Sequence, residues 1–364
     1  EAAINVLEQV INTEPDNADV QNSIAYAYSQ KGELHKAIKH YEKAIYLNGN
    51  FAKAHFNLGI TLLKNGDLKR GFAECEWRWQ TGQFTPFQCP HPRWKGEDIS
   101  NKTLLIHTEQ GAGDAIQFIR YVPLAAKLCQ GIILVCLPEL IPLFKNIPEI
   151  DKLMPPGELK LSEFDIYVPL MSLPYIFGTT LETIPANIPY LQSTNSNHIN
   201  LTNTQYKVGI VWSGSYTHKN DGNRSCKITD FLPILQVPGV KFYSLQKGEN
   251  RQELTQVPSN IQIEDLSYQL NNYADTAAVI EQLDLVITVD TSVAHLAGAL
   301  GKNVWNLLCF NPDWRWLQEV EDTPWYPTMK LFRQSQSRKW QEVIEKVQAQ
   351  LWKIITGNMI MSNK

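Results

Sequence analysis

Asp290, Thr291, Ser292 and His295 stand where one kind of segment gives way to another. Before them runs Leu285-Val286-Ile287, apolar and rich in β-branched residues, which reads as a buried strand. After them Ala294, Leu296, Ala297, Ala299 and Leu300 form a compact apolar helix closed by Gly301. A strand, a hydroxyl-rich turn and a helix in that order turn free N–H groups and the positive end of a helix dipole toward the strand's C-terminal edge, a setting suited to phosphate. The same residues also suit a plain capped β–α turn, in which a side-chain oxygen takes the first N–H groups of the helix.

Two further loops carry candidate chemistry. One is His107–Asp114, which follows the strand-like Thr103–Ile106 and holds Glu109, Gln110, Gly111, Gly113 and Asp114. The other is Ser213–Arg224, which follows Lys207–Trp212 and holds Ser213, Lys219, Asp221 and Arg224. Lys219 or Arg224, with the Thr291-Ser292 amides, can neutralise a diphosphate leaving group without a metal. No Asp-x-Asp pair offers a handle for a divalent ion. Asp114 opens a helix, where the dipole favours its ionised form, and can take a proton from an acceptor hydroxyl. Its plainer reading is a first-turn carboxylate, and that of the three loop charges a solvated surface. Gly111-x-Gly113 is an incomplete dinucleotide fingerprint, with neither a third glycine nor an acidic residue closing the Ile132–Cys136 strand.

The elements that must position these loops repeat a strand–helix alternation. Candidate strands lie at 103–106, 132–136, 164–168, 207–212, 240–245, 285–287 and 303–308, with helices between them and a terminal helix over 341–355. The expected domains are an N-terminal sheet region at 103–200 and a C-terminal one at 201–340, with the terminal helix in 341–364. The Ser/Thr/Asn-rich stretch 191–203 joins the two sheet regions. Residues 1–80 differ in kind. Gly32 and Gly66 recur at the ~34-residue tetratricopeptide period, with small residues at Ala25 and Gly59 and again at Ala37 and Gly71. The chain opens mid-repeat, so a truncated array is expected. Between repeats and sheets, 81–102 is a proline-rich linker whose Trp94, with Trp77 and Trp79 just before it, is read as packing rather than as a sugar platform.

With 364 residues, 43% of them hydrophobic, the chain can bury two or three cores. A net charge of −4 gives no electrostatic case for nucleic acid. No apolar run reaches the length of a membrane span. Six scattered cysteines form no Cys-x-x-Cys pair, so no metal site is expected and a reducing, cytoplasmic setting is.

Taken together, EQGAGDAIQFIRYVPLAA (Glu109–Ala126), VGIVWSGSYTHKNDGNRS (Val208–Ser225), SLQKG (Ser244–Gly248), VITVDTSVAHLAGALGK (Val286–Lys302), PDWRW (Pro312–Trp316) and PWYPTMKLFRQ (Pro324–Gln334) resemble, in order, the motifs of heptosyltransferase-like glycosyltransferases fused to tetratricopeptide repeats. The resemblance implies an α/β protein with an all-α N-terminal part: short repeats followed by two Rossmann-like domains in the GT-B arrangement. It implies an inverting, metal-independent transfer of a sugar from a nucleotide-sugar donor to a hydroxyl of a protein, glycan or lipid-linked acceptor, with no cofactor. Asp114 matches the family's base, and Lys219 or Arg224 its phosphate-binding cation. Ser213, Asp290, Thr291, Ser292 and His295 fall on the donor side, and Glu109, Gln110, Gly111 and Gly113 on the acceptor loop. Ala112 and Ser292-Val293 replace residues commoner in lipopolysaccharide heptosyltransferases. The repeats point to a protein or peptide partner. The competing reading is a non-catalytic scaffold that binds partners through its repeats and carries a degenerate GT-B part.

Overall fold

The computed structural model describes residues 2–193, 199–202 and 205–362. Much of the Ser/Thr/Asn-rich joining stretch, 194–198 and 203, lies outside them. The chain forms two compact units. The first contains 1–96, 172–184 and 311–320, and the second 97–171, 185–310 and 321–364.

In the first unit five helices follow one another: α1 (Ala2–Thr13), α2 (Ala18–Lys31), α3 (Leu34–Leu47), α4 (Ala52–Lys64) and α5 (Leu68–Cys75). Asn17 caps α2 by accepting from the N–H groups of Asp19 and Val20, and Gly32 ends it at φ 86, a left-handed position that glycine takes without a Cβ clash. Ile24, Ala25, Tyr28, Ala37, Tyr41, Leu58 and Leu62 form the repeat core. Small residues stand where helices touch: a Cβ on Gly59 would come 2.8 Å from Cys75 N, and one on Gly71 2.7 Å from a Leu63 methyl.

Two segments from far along the chain complete this unit. The Arg78 guanidinium donates to Ser172 Oγ at 2.8 Å, Arg93 to the same oxygen at 2.7 Å, and Trp94 meets Phe177 edge-on at 6.1 Å. Trp94 is 1% exposed, so the linker tryptophan packs, and Trp77 stacks on His55 at 3.9 Å. The aromatic 311–320 segment docks here as well. Trp314 meets Phe72 edge-on at 5.6 Å, and Lys64 donates to Asn311.

The second unit holds two parallel sheets. β1 (Ile99–His107), α6 (Ala112–Phe118), α7 (Val122–Ala126), β2 (Cys129–Val135), α8 (Ile141–Phe144), β3 (Lys152–Met154) and β4 (Ile166–Pro169) make the first, in the order β3-β2-β1-β4. The short helix α9 (Leu173–Ile176) then belongs to the first unit. The second sheet collects β5 (Tyr206–Val211), α10 (Asp221–Arg224), α11 (Leu232–Leu235), β6 (Val240–Ser244), β7 (Ile263–Asp265), α12 (Tyr273–Glu281), β8 (Leu285–Val289), α13 (Ser292–Ala299), β9 (Val304–Leu308), β10 (Met329–Arg333) and α14 (Gln341–Ser362). Its order is β10-β9-β8-β5-β6-β7, so the chain reverses direction across the sheet between β5 and β8. That is the doubly wound order, whose ligand crevice lies at the reversal point. One face of this sheet presents Val208, Ile210, Leu285, Ile287, Trp305 and Leu307 to Phe231, Ile234 and the α14 residues Val343, Val347 and Leu351.

The sequence reading differs at several edges. β1 starts at Ile99, inside the expected linker, with a register irregularity between Ile99 and Thr103. β3 and β7, three residues each, and β10 are additional strands. A three-residue edge strand is too short to show a period.

Candidate functional site

The β8–α13 turn is built as the strand–turn–helix pattern requires, with one departure. Thr291 is the N-cap of α13, yet its side chain makes no bond to the first helical turn. Its hydroxyl instead pairs with that of Thr288 at 3.0 Å, and Thr288 in turn donates to Val289 O at 2.7 Å. The Thr291 side chain therefore takes none of the α13 N-terminal amides, and the Ala294 N–H donates to Thr291 O at 3.0 Å. Ser292 is held by the Tyr273 hydroxyl at 2.8 Å, and burial pushes the Tyr273 pKa up. Asp290 is half-buried at the strand end.

On the neighbouring strand, Ser213 is buried and gripped by Gln246. Gln246 Oε1 accepts from the N–H groups of Trp212 and Ser213 at 3.1 and 3.0 Å, while its Nε2 donates to Ser213 O and Lys247 O. The two candidate cations separate. Lys219 is exposed on its loop. Arg224 folds back over the end of β5, so close that a Cβ on Gly214 would come 2.4 Å from its Nη2, and it keeps a long 3.5 Å contact with Asp221. Arg224, not Lys219, thus lies against the end of β5.

From the first sheet, the β1–α6 turn reaches the same place. α6 packs on α13, and a Cβ on Gly113 would lie 3.0 Å from His295 Cδ2 and 3.4 Å from Ser292 Cα. Only a glycine lets the two helix N-termini approach so closely. Gln110, the residue before the turn, holds φ 60, a left-handed conformation that costs a non-glycine residue about 1–3 kcal/mol and concentrates at functional sites. Asp114 Oδ2 accepts from Gly111 N–H at 2.9 Å, so the carboxylate does close its own helix end. Gly111 is exposed, and Glu109 and Asp114 are half-buried.

The structure thus brings Gly113 against Ser292 and His295, with Gly111 and Asp114 on the same turn and Ser213 and Arg224 on the end of β5. It leaves Lys219 outward. Sequence reasoning missed Gln246, Tyr273, Tyr326 and Arg120. Gln246 stood in the SLQKG motif and Arg120 in the Glu109–Ala126 motif, both quoted for the resemblance without a role for either residue. Neither residue carries a spacing that reveals its partner. Among the described residues no group of three or more His, Cys, Asp or Glu side chains is placed to hold a metal ion. No helix among them is long and apolar enough to cross a membrane.

Comparison with known proteins adds three findings. The sequence model of the TPR repeat matches residues 25–66. Protein FlbA of Caulobacter vibrioides is 23% identical over 414 residues, covering 95% of this chain and 69% of FlbA. Among solved structures, a family 9 glycosyl transferase from Veillonella parvula is similar at 13% identity and a TM-score of 0.48, covering 73% of this chain and 99% of that one. The ADP-heptose LPS heptosyltransferase II of E. coli gives 13% and 0.48 over 68% and 99%. At these scores the assignment of the fold rests on the strand order itself.

Proposed function

We propose that the chain is a glycosyltransferase that moves a sugar, with inversion, from a nucleotide-sugar donor to an acceptor hydroxyl. The observation that carries this reading is the meeting of two turns at the reversal point of the second sheet. The uncapped α13 N-terminus and Arg224 offer positive charge on one side, and the Asp114 carboxylate stands on the other. In the proposed step the acceptor oxygen attacks the anomeric carbon and gives its proton to Asp114. The bond from that carbon to the diphosphate oxygen breaks, and the nucleoside diphosphate leaves with its new charge held by Arg224 and the α13 amides. These groups supply the neutralising charge themselves, so the reading assigns no divalent ion. The order of the sequence motifs, from Glu109 to Gln334, supports the same class. The repeats, on which the 311–320 segment packs, are proposed to recruit a protein or peptide carrying the acceptor.

Calorimetric titration with ADP, UDP and GDP and their sugar conjugates, first with a chelator and then with magnesium, tests this. Saturable binding of one nucleotide in chelator supports the reading and names the donor. Binding only with magnesium removes metal independence. No binding of any returns the α/β part to a scaffold role.

A further inference from the structure

A cavity of about 580 Å³ opens on the first unit, a size that takes a small molecule or a short stretch of chain. Two of its sides are the same turn in successive repeats. Gly32 ends α2 at φ 86, and Gly66 follows α4 at φ 87. Each turn is met by a segment from far along the chain. A Cβ on Gly32 would come 3.1 Å from Gln318 Nε2, which donates to Gly32 O at 3.4 Å, and one on Gly66 would come 3.4 Å from a Leu181 methyl. Leu34, Leu181 and Leu317 make the apolar part of the lining, and Glu33, Asn65 and Glu319 belong to the polar part. The 317–319 wall is held in costly backbone. Leu317 stands at φ 55 and ψ −162, a region that glycine alone enters readily, and Glu319 at φ 57. Such backbone persists only where its surroundings impose it, and the buried Trp314 and Trp316 anchor the segment just before it.

We propose that this cavity docks an extended segment of a protein partner, one with an apolar side chain for the leucine wall beside a lysine or arginine for Glu319. Two observations choose that occupant. The main-chain N–H and C=O groups of Gln318 and Glu319, and the side-chain amide of Asn65, meet no hydrogen-bond partner among the described residues. Donors and acceptors left open together are what an added peptide backbone takes up. The charges then set the sign. Of the two lining carboxylates, that of Glu33 is held by Lys31 at 2.7 Å and Lys36 at 2.6 Å, while that of Glu319 is exposed and has no ion pair among the described residues. Both lining ammonium groups are engaged, Lys36 by Glu33 and Lys64 by Asn311. The site is composite: the repeats supply the two turns, 172–184 supplies Leu181, and 311–320 supplies the open main chain. A repeat array without those two segments lacks it. The proposal deepens the reading of the repeats as recruiters, and it rests on the proposed transfer only for what the partner is recruited to receive.

The test uses the full chain and a phage-displayed library of random linear octapeptides. Selected peptides are synthesised and titrated calorimetrically in the absence of nucleotide. They are expected to pair an apolar residue with a basic neighbour. Leu181→Arg, at a side chain already 37% exposed, puts a charge on the apolar wall and should weaken them by about tenfold or more. Glu319→Lys should weaken them by about fivefold, and exchanging the basic residue of the peptide for glutamate should restore binding to that variant alone. A variant that merely misfolds cannot give that rescue. Tyr46→Arg, 83% exposed on α3 and outside the cavity, should leave the affinity unchanged. A library that yields no peptide overturns the proposal, and so do peptides that bind Leu181→Arg and Glu319→Lys as they bind the wild type. ADP, UDP and GDP are titrated against the same preparations. A wild type that binds peptide but no nucleotide sinks the transfer reading and supports the docking site, and one that binds nucleotide but no peptide does the reverse.

Discussion

The β1–α6 and β8–α13 turns are the same device used in two ways. Each is a parallel strand, a short loop and a helix whose N-terminus faces the crevice. In the first, the helix supplies its own anion, because Asp114 Oδ2 takes the Gly111 N–H. In the second, the side chain that could cap the helix looks elsewhere, because Thr291 pairs with Thr288. One turn thus closes its helix end with its own carboxylate, and the other turns its cap side chain back toward the strand. The difference teaches that a helix N-terminus is a site only when its own sequence declines to fill it. Two such turns face to face can separate a base from an anionic leaving group.

The largest effect should come from removing the charge at the filled turn. Asp114→Asn is expected to lower transfer about 10²–10⁴-fold while leaving nucleotide affinity unchanged, measured by turnover and calorimetry on the same preparation. Lost binding would instead place Asp114 on the donor side. The open turn should show the reverse. Ser292→Phe is expected to weaken nucleotide binding by tenfold or more, on the order of 1–3 kcal/mol of overpacking against Tyr273 and the crevice. An unchanged dissociation constant would move the donor site away from α13. Contact between the turns is probed by Gly113→Val, which drives a side chain into His295 and should destabilise by about 1–3 kcal/mol in urea unfolding. Gly49→Val, whose Cβ would meet nothing within 4 Å, should change stability by less than about 0.5 kcal/mol. Among the site variants the smallest effect is expected at the diverted cap. Thr291→Val removes the Thr288 pair and should cost about 0.5–1.5 kcal/mol, with no gain in helix capping. A variant as stable as wild type would show that the hydroxyl pair contributes little.

Much of this was legible along the chain. The β-branched run at Leu285–Ile287 and the apolar 294–300 segment announce a strand and a helix because both periods are local. So does the ~34-residue recurrence of the repeats, whose contacts are mostly between sequence neighbours. Lys219 and Arg224 could not be told apart. Both are cations on one loop, and only the fold shows that Gly214 leaves room for Arg224 at the strand end. Ser213 was visible as a turn residue, but Gln246, more than thirty positions later, was not visible as its clamp, since no local rule links them. The PDWRW segment was read as part of the second sheet region. Its packing on the helical repeats depends on Phe72 and Lys64, more than two hundred residues earlier.

The sequence by itself determined the kinds of element, their order and the residue types at each strand end, because hydrophobic period and turn chemistry act over a few residues. Tertiary structure decided which turns meet, and which hydroxyl caps and which turns away. Those outcomes depend on strand order and on distances between residues far apart in the chain, and no local energy encodes them.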